Sequence, residues 1–196
     1  MQRAQQSKTT PGRLITAAVW SLGLLLLAGE VQADEGIEIR NAATRLEGGV
    51  WFLDADIDYR LNETAREALD SGLELDVELT IRLTQRRRFI WDAQFAELKQ
   101  LYSLQYHALT GRYILRNLNS GEQATFGTLP ATLNALGTLR GLPIIDDALL
   151  SRGERYYVSV RAVVDIEDFG GPLAIIRLLW NDWRITSDWA RWRLVY

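Results

Sequence analysis

Two stretches of the chain set a carboxylate at every second position, Asp54-x-Asp56-x-Asp58 and Glu74-x-Asp76-x-Glu78. Carboxylates in such numbers offer two chemistries. They ligate hard divalent cations such as Ca²⁺, and in pairs they serve as acid and base, or acid and nucleophile, in glycoside hydrolysis. Alternate residues on one face of a strand stand about 6.6–6.8 Å apart, so neither ladder can enclose a cation alone. Side by side the ladders repel each other, unless Arg-bearing strands separate them or a cation bridges them. Asp54-x-Asp56-x-Asp58 is not an EF-hand loop, because Tyr59 stands at the obligatory glycine and Ala65 at the bidentate glutamate. The metal candidates are therefore Asp54, Asp56, Asp58, Glu74, Asp76 and Glu78 taken together, against the alternative of a solvated or Arg-paired face. No spacing nominates a particular pair for hydrolysis.

His107 is the only histidine and there is no cysteine, so a zinc site has almost nothing to build on. A nucleophilic triad needs a serine within hydrogen-bond reach of the imidazole. Ser103, four residues away on a strand, is about 13 Å distant. His107 reads as a rim residue.

The last candidate is C-terminal, where Trp180, Trp183, Trp189 and Trp192 are interleaved with Arg177, Arg184, Arg191 and Arg193. Exposed Trp beside Arg is the composition of binding surfaces for proteins or sugars, whereas Trp in a sheet more often fills a core. Trp183, Trp189 and Arg191 share one parity and Trp192 has the other, so at least one of these Trp side chains lies outside the core. The candidate surface is Trp183, Trp189, Trp192, Arg184, Arg191 and Arg193.

The elements that must position these residues are mostly strands. Leu73 to Thr84 alternates without a break, with Leu73, Leu75, Val77, Leu79, Ile81 and Leu83 on one side and polar residues on the other. Only a strand puts those six aliphatics on one face. Ile37 to Leu46 and Val50 to Leu61 read as a hairpin whose three-residue loop, Glu47-Gly48-Gly49, sets Leu46 opposite Val50 and Arg40 beside Asp56. Asn62 caps a helix from Glu63 to Ser71 that stops at Gly72. Asp92 to Lys99 fits either a helical turn or irregular chain. Strands around Tyr106, Tyr113 and Phe126 form a meander, with Leu109 opposite Arg112 and Leu115 opposite Phe126. Thr128 caps a helix from Leu129 to Leu139, ended by Gly141, and Leu142-Pro143 starts a linker. Asp146 to Leu150 reads as a helical turn, Glu154 to Glu167 as a strand, Leu173 to Trp180 as a helix and Trp183 to Val195 as a last strand. About eight strands and three short helices, without regular βαβ alternation, predict an α+β domain built on a mainly antiparallel, curved sheet or sandwich.

The chain has 196 residues, enough for one domain with a real core. Its net charge of −3 gives no case for nucleic-acid binding. The basic residues are all arginine except Lys8 and Lys99, and arginine favours forked pairing with carboxylates. The first 33 residues read as an address. Arg3, Lys8 and Arg13 precede the apolar run Leu14 to Gly29, and Val31-Gln32-Ala33 offers a signal-peptidase site. The run is short for a membrane span. Sec-type export with cleavage after Ala33 and a single periplasmic domain from residue 34 to 196 is the expectation; the alternative is an uncleaved inner-membrane anchor. No phosphate-binding glycine motif is present and no cofactor is implied.

The tract Tyr106 to Pro143, with Tyr106, Leu109-Thr110, Tyr113, Asn117-Leu118, Phe126, Leu129 and Leu133, resembles a family of exported proteobacterial proteins, domain of unknown function 4390. Ala68-Leu69-x-x-Gly72, the Arg-rich run into Trp91-Asp92, and Trp183-Arg184 with Ser187-Asp188-Trp189 are similar to it as well. The resemblance implies a secreted or membrane-facing domain without assigned activity, keeping company with envelope signalling proteins such as a sensor kinase. It supplies no catalytic residues. The sequence thus predicts a non-enzymatic periplasmic interaction module with an envelope protein partner. Alternatives are an envelope-polymer hydrolase using paired carboxylates and a Ca²⁺-binding β domain. The membrane enters only through the N-terminal segment if it is retained.

Overall fold

The computed structural model describes residues 35–86, 93–166 and 184–194, all within the compact unit that begins at Glu35. The expected signal peptide, the expected helix Leu173 to Trp180 and Trp183 lie outside the described residues. Ten strands and two α-helices are seen among them. The order is β1 (Gly36–Glu47), β2 (Val50–Arg60), α1 (Glu63–Asp70), β3 (Leu75–Gln85), β4 (Ala93–His107), β5 (Arg112–Asn117), β6 (Gln123–Phe126), α2 (Leu129–Gly137), β7 (Thr138–Asp146), β8 (Tyr156–Ile166), β9 (Ile185–Thr186) and β10 (Ala190–Arg193). A short 3₁₀ turn at Asp147–Leu149 follows β7. No described helix is long and apolar enough to cross a membrane.

All strand pairs are antiparallel, in two sheets. The smaller runs β1-β2-β7; the larger runs β10-β8-β3-β4-β5-β6, with β9 also on β8. The strand at the middle of each owes its place to its alternation. In β2, Trp51, Leu53, Ala55, Ile57 and Tyr59 are buried. In β3, Leu75, Val77, Leu79, Ile81 and Leu83 are buried, and in β8 Tyr156, Val158, Val160, Ala162 and Val164. These stripes face one another in one core, as in a sandwich. Burying each Leu, Ile or Val contributes roughly 1.5–3 kcal/mol. Both helices are capped as their sequences require, Asn62 Oδ1 accepting from Ala65 N at 2.9 Å and Thr128 Oγ1 from Ala131 N at 3.3 Å.

Several expectations are corrected. The first hairpin closes through a two-residue turn, Gly48-Gly49, with Glu47 opposite Val50. Both glycines have positive φ, 59° and 82°, as in a type I′ turn. The register beyond it brings Ile37 to Tyr59 and Ile39 to Ile57, because a bulge at Arg40 inserts one residue and turns the face over. Arg40 consequently lies beside Asp58, and Asn41 opposes Asp56.

The expected linker at Leu142-Pro143 is part of strand β7. Pro143 lies on an edge strand, opposite Phe52, where a missing N–H is tolerated. Gly141, at φ 61°, occupies a register shift between Leu53 and Ala55. The stretch Asp92 to Lys99, expected as a helical turn or irregular chain, is strand from Ala93 onward, the first half of β4. In the meander the faces are as expected but the pairings slide by two residues, giving Tyr106↔Tyr113 and Tyr113↔Phe126. The expected last strand is two short pieces, β9 and β10.

Candidate functional site

The two carboxylate ladders lie in different sheets. Asp54, Asp56 and Asp58 face outward from the small sheet, and flanking strands bring a guanidinium to each. Arg45 pairs with Asp54, Arg140 with Asp56, and Arg40 and Arg60 with Asp58. Gly141 N also donates to Asp54 Oδ1 at 2.6 Å. That backbone donor and Arg45 hold the Asp54 carboxyl below its ordinary value. The complement to this ladder thus comes from β1, β2 and β7 and not from the C-terminal strand. Among the described residues, no group of three or more His, Asp and Glu side chains is placed to hold a metal ion. At Asp54, Asp56 and Asp58, guanidinium groups take carboxylate oxygens that a cation would use.

The outward face of the large sheet is built differently. Along β3, Asp76, Glu78, Thr80, Arg82 and Thr84 project outward, opposite the buried stripe. Register places Asp165, Val163, Arg161, Ser159 and Tyr157 beside them on β8, and Ser103, Leu101, Lys99 and Glu97 on β4. The face is polarised along the strands. At its Asp76 end, Asp76, Glu78, Asp165 and Arg184 line a depression of about 350 Å³ together with the apolar Leu101 and Leu118. Both leucines are exposed, at 38% and 47%. Arg184 reaches Asp165 at 3.6 Å. Burial alone pushes the Glu78 carboxyl up, but hydrogen bonds from Lys99 and Thr80 outweigh it and hold it down.

Toward the other end the face is aromatic and basic. The chain between β9 and β10 lays Trp189 over the sheet, with the Arg82 guanidinium 4.5 Å from its ring centroid and Arg161 at 5.7 Å. Arg191 stacks on Tyr157 at 4.1 Å, and Arg82 also pairs with Glu97 at 2.9 Å. Guanidinium on an aromatic face is favourable and holds both side chains in place.

The six C-terminal candidates therefore divide. Trp189, Arg184 and Arg191 belong to this face, and Arg193 follows Arg191 at its edge, paired in register with Tyr157. Trp192 is on the inner side, half-buried against the core. Glu74 precedes β3 and takes no place in its ladder. His107 ends β4, exposed, its Nδ1 3.0 Å from Thr110 Oγ1 in the following turn. Sequence reasoning missed Arg82, Arg161, Tyr157, Leu101 and Leu118. The parity of β3 and β8 carried the signal for the first three. Nothing local to Leu101 or Leu118 marks them, since their exposure depends on where β5 ends.

Compared with known families, residues 34–193 match the model of one described as Domain of unknown function (DUF4390). The chain belongs to that family. No curated protein matches the DUF4390 chain, and no solved structure matches it. Membership brings with it no activity, ligand or catalytic residue, so the reading below rests on the face itself.

Proposed function

We propose that this DUF4390 chain is an exported, non-enzymatic interaction module that receives an envelope protein partner on the outward face of its large sheet. The observation that carries the reading is the depression at the Asp76 end, where exposed Leu101 and Leu118 adjoin carboxylates that outnumber the one lining guanidinium. Apolar surface rimmed by charge is what a partner presenting a basic residue beside an apolar one would fit. Trp189, held by Arg82 and Arg161, extends the same surface.

A hydrolase acting through two carboxylates needs one carboxyl raised so that it can donate a proton near neutrality. Asp54 and Glu78 both move down instead. That favours the binding reading.

The test is a photo-crosslinking amino acid placed in turn at Leu118, Trp189 and Arg45, expressed in cells. Reproducible adducts to one envelope protein are expected from Leu118 and Trp189 and not from Arg45, which lies on the ion-paired face. The same yield from all three positions, or no adduct from the first two, refutes it.

A further inference from the structure

Six of the fifteen described arginines pair with a carboxylate, Arg40, Arg45, Arg60, Arg82, Arg140 and Arg184. The end of the large sheet where β3 finishes gathers three that do not. Gln85 pairs with Tyr156, and Arg86 N donates to Arg155 O at 2.9 Å, so the alternation carries Arg86 and Arg155 to the same side as Thr84 and Tyr157. Arg193 lies opposite Tyr157 on the next strand. Arg86, Arg155 and Arg193 are exposed, and none of them forms an ion pair among the described residues. Arg191 joins them from above, stacked on Tyr157. In a protein of net charge −3, this is a local concentration of positive charge, and no described carboxylate pairs with Arg86, Arg155 or Arg193.

We propose that this Arg86–Arg155–Arg193 end of the sheet docks on an anionic phospholipid surface. Guanidinium forks match phosphate geometry and are weakly hydrated, so they suit a layer of phosphodiester headgroups. Tyr157, beside them, is the kind of amphipathic aromatic that settles at a bilayer's polar boundary. The depression, which is the gripping feature for a protein segment, lies at the opposite end of the face. The inference extends the interaction-module reading to a second contact, and it stands or falls separately.

The chain from residue 34 onward is used for the test, because the compact unit begins at Glu35 and an N-terminal apolar run would bind any vesicle. Sedimentation with phosphatidylcholine vesicles, alone or with about a third phosphatidylglycerol, should show binding only to the anionic ones, and high salt should abolish it. Each arginine near the surface is worth about fivefold in affinity, so R86Q/R155Q/R193Q should bind roughly a hundredfold more weakly. R86K/R155K/R193K should retain most of the binding, and R66Q/R112Q, altered on α1 and at the start of β5, should match the parent. Undiminished binding by the triple Gln variant overturns the proposal. So does a parent chain that ignores anionic vesicles at low salt, or that binds polyglutamate in their place, which would make an acidic protein the partner. Vesicle binding without crosslinks from Leu118 and Trp189 would refute the protein-partner reading and leave this one standing.

Discussion

Replacing Gly137 with alanine gives a sharp test of how the fold is held. Gly137 is the last residue of α2 and is buried. A Cβ built there would sit 1.9 Å from the carbonyl oxygen of Ile57 and 3.1 Å from its carbonyl carbon. Ile57 lies in the interior of β2, whose pairing to β1 and β7 leaves it little room to move. Relief therefore requires the end of α2 to lift by about 1 Å, since non-bonded contacts under about 3 Å are not sustained. That movement pulls Leu136 and the fully buried Thr132 out of the core. Overpacking ordinarily costs about 1–3 kcal/mol. With a backbone carbonyl as the obstacle, the upper end and beyond, about 3–5 kcal/mol, is expected. Helix propensity alone predicts the opposite sign, a gain of about 1 kcal/mol for Gly→Ala. Urea unfolding followed by tryptophan fluorescence measures the difference, with Gly127→Ala as control, where nothing lies within 4 Å of the added Cβ. If Gly137→Ala unfolds at or above the parent midpoint with an unchanged m-value, the close approach of α2 to β2 is wrong.

The ion-paired face makes a pH-dependent prediction. Asp54 is held below its ordinary value of 3.8 by Gly141 N–H and Arg45, so its stabilising contribution is complete above that value. It fades as pH falls through the lower folded-state value. Asp54→Asn should cost no more than about 1 kcal/mol at neutral pH, because the pair is partly solvated. Thermal melts should show the parent losing stability faster than the variant below about pH 4; parallel curves would refute the assignment. In the first hairpin, Gly48→Asn should be nearly neutral, since asparagine accepts the left-handed conformation. Gly48→Val should lose about 1–2 kcal/mol, and equal melting of the two would deny the two-glycine turn.

What the sequence made legible follows from where each constraint is local. The stripes of β2, β3 and β8 are visible because alternation over eleven residues is a property of one strand. The hairpin misreading is instructive, since Ile-Glu-Ile-Arg-Asn-Ala-Ala-Thr contains the bulge. Ile37 and Ile39 face inward, then Ala42 and Thr44 do, and the parity switch at Arg40 was the available sign. Gly141 and Pro143 read as breakers in sequence because their chemistry breaks most elements. Here the glycine supplies a left-handed bulge whose N–H serves Asp54, and the proline occupies an edge where its missing donor is not needed. Edge status is a property of the assembled sheet, and no local pattern encodes it.

The two carboxylate ladders carry this furthest. As sequence they are equivalent, each alternating on a strand that ends up at the middle of its sheet. Their fates differ because β1 and β7 bring Arg40, Arg45 and Arg140 against the first, while β8 brings Asp165 against Asp76 and keeps Arg161 for Trp189. Exposed ion pairs add little to stability, so the matched face gains mainly a neutral, hydrated surface with little field to attract a partner. On the outward face of the large sheet, charge is separated along β3, with carboxylates at Asp76 and Glu78 and guanidiniums gathering toward Arg86. Ten residues of strand from Asp76 to Arg86 span about 33 Å, well over the Debye length of about 8–10 Å at physiological salt. The two ends therefore present independent fields, and a phosphate layer at one does not screen the other. A module docked by Arg86, Arg155 and Arg193 would hold the Leu101–Leu118 depression clear of the bilayer, open to a protein approaching along it.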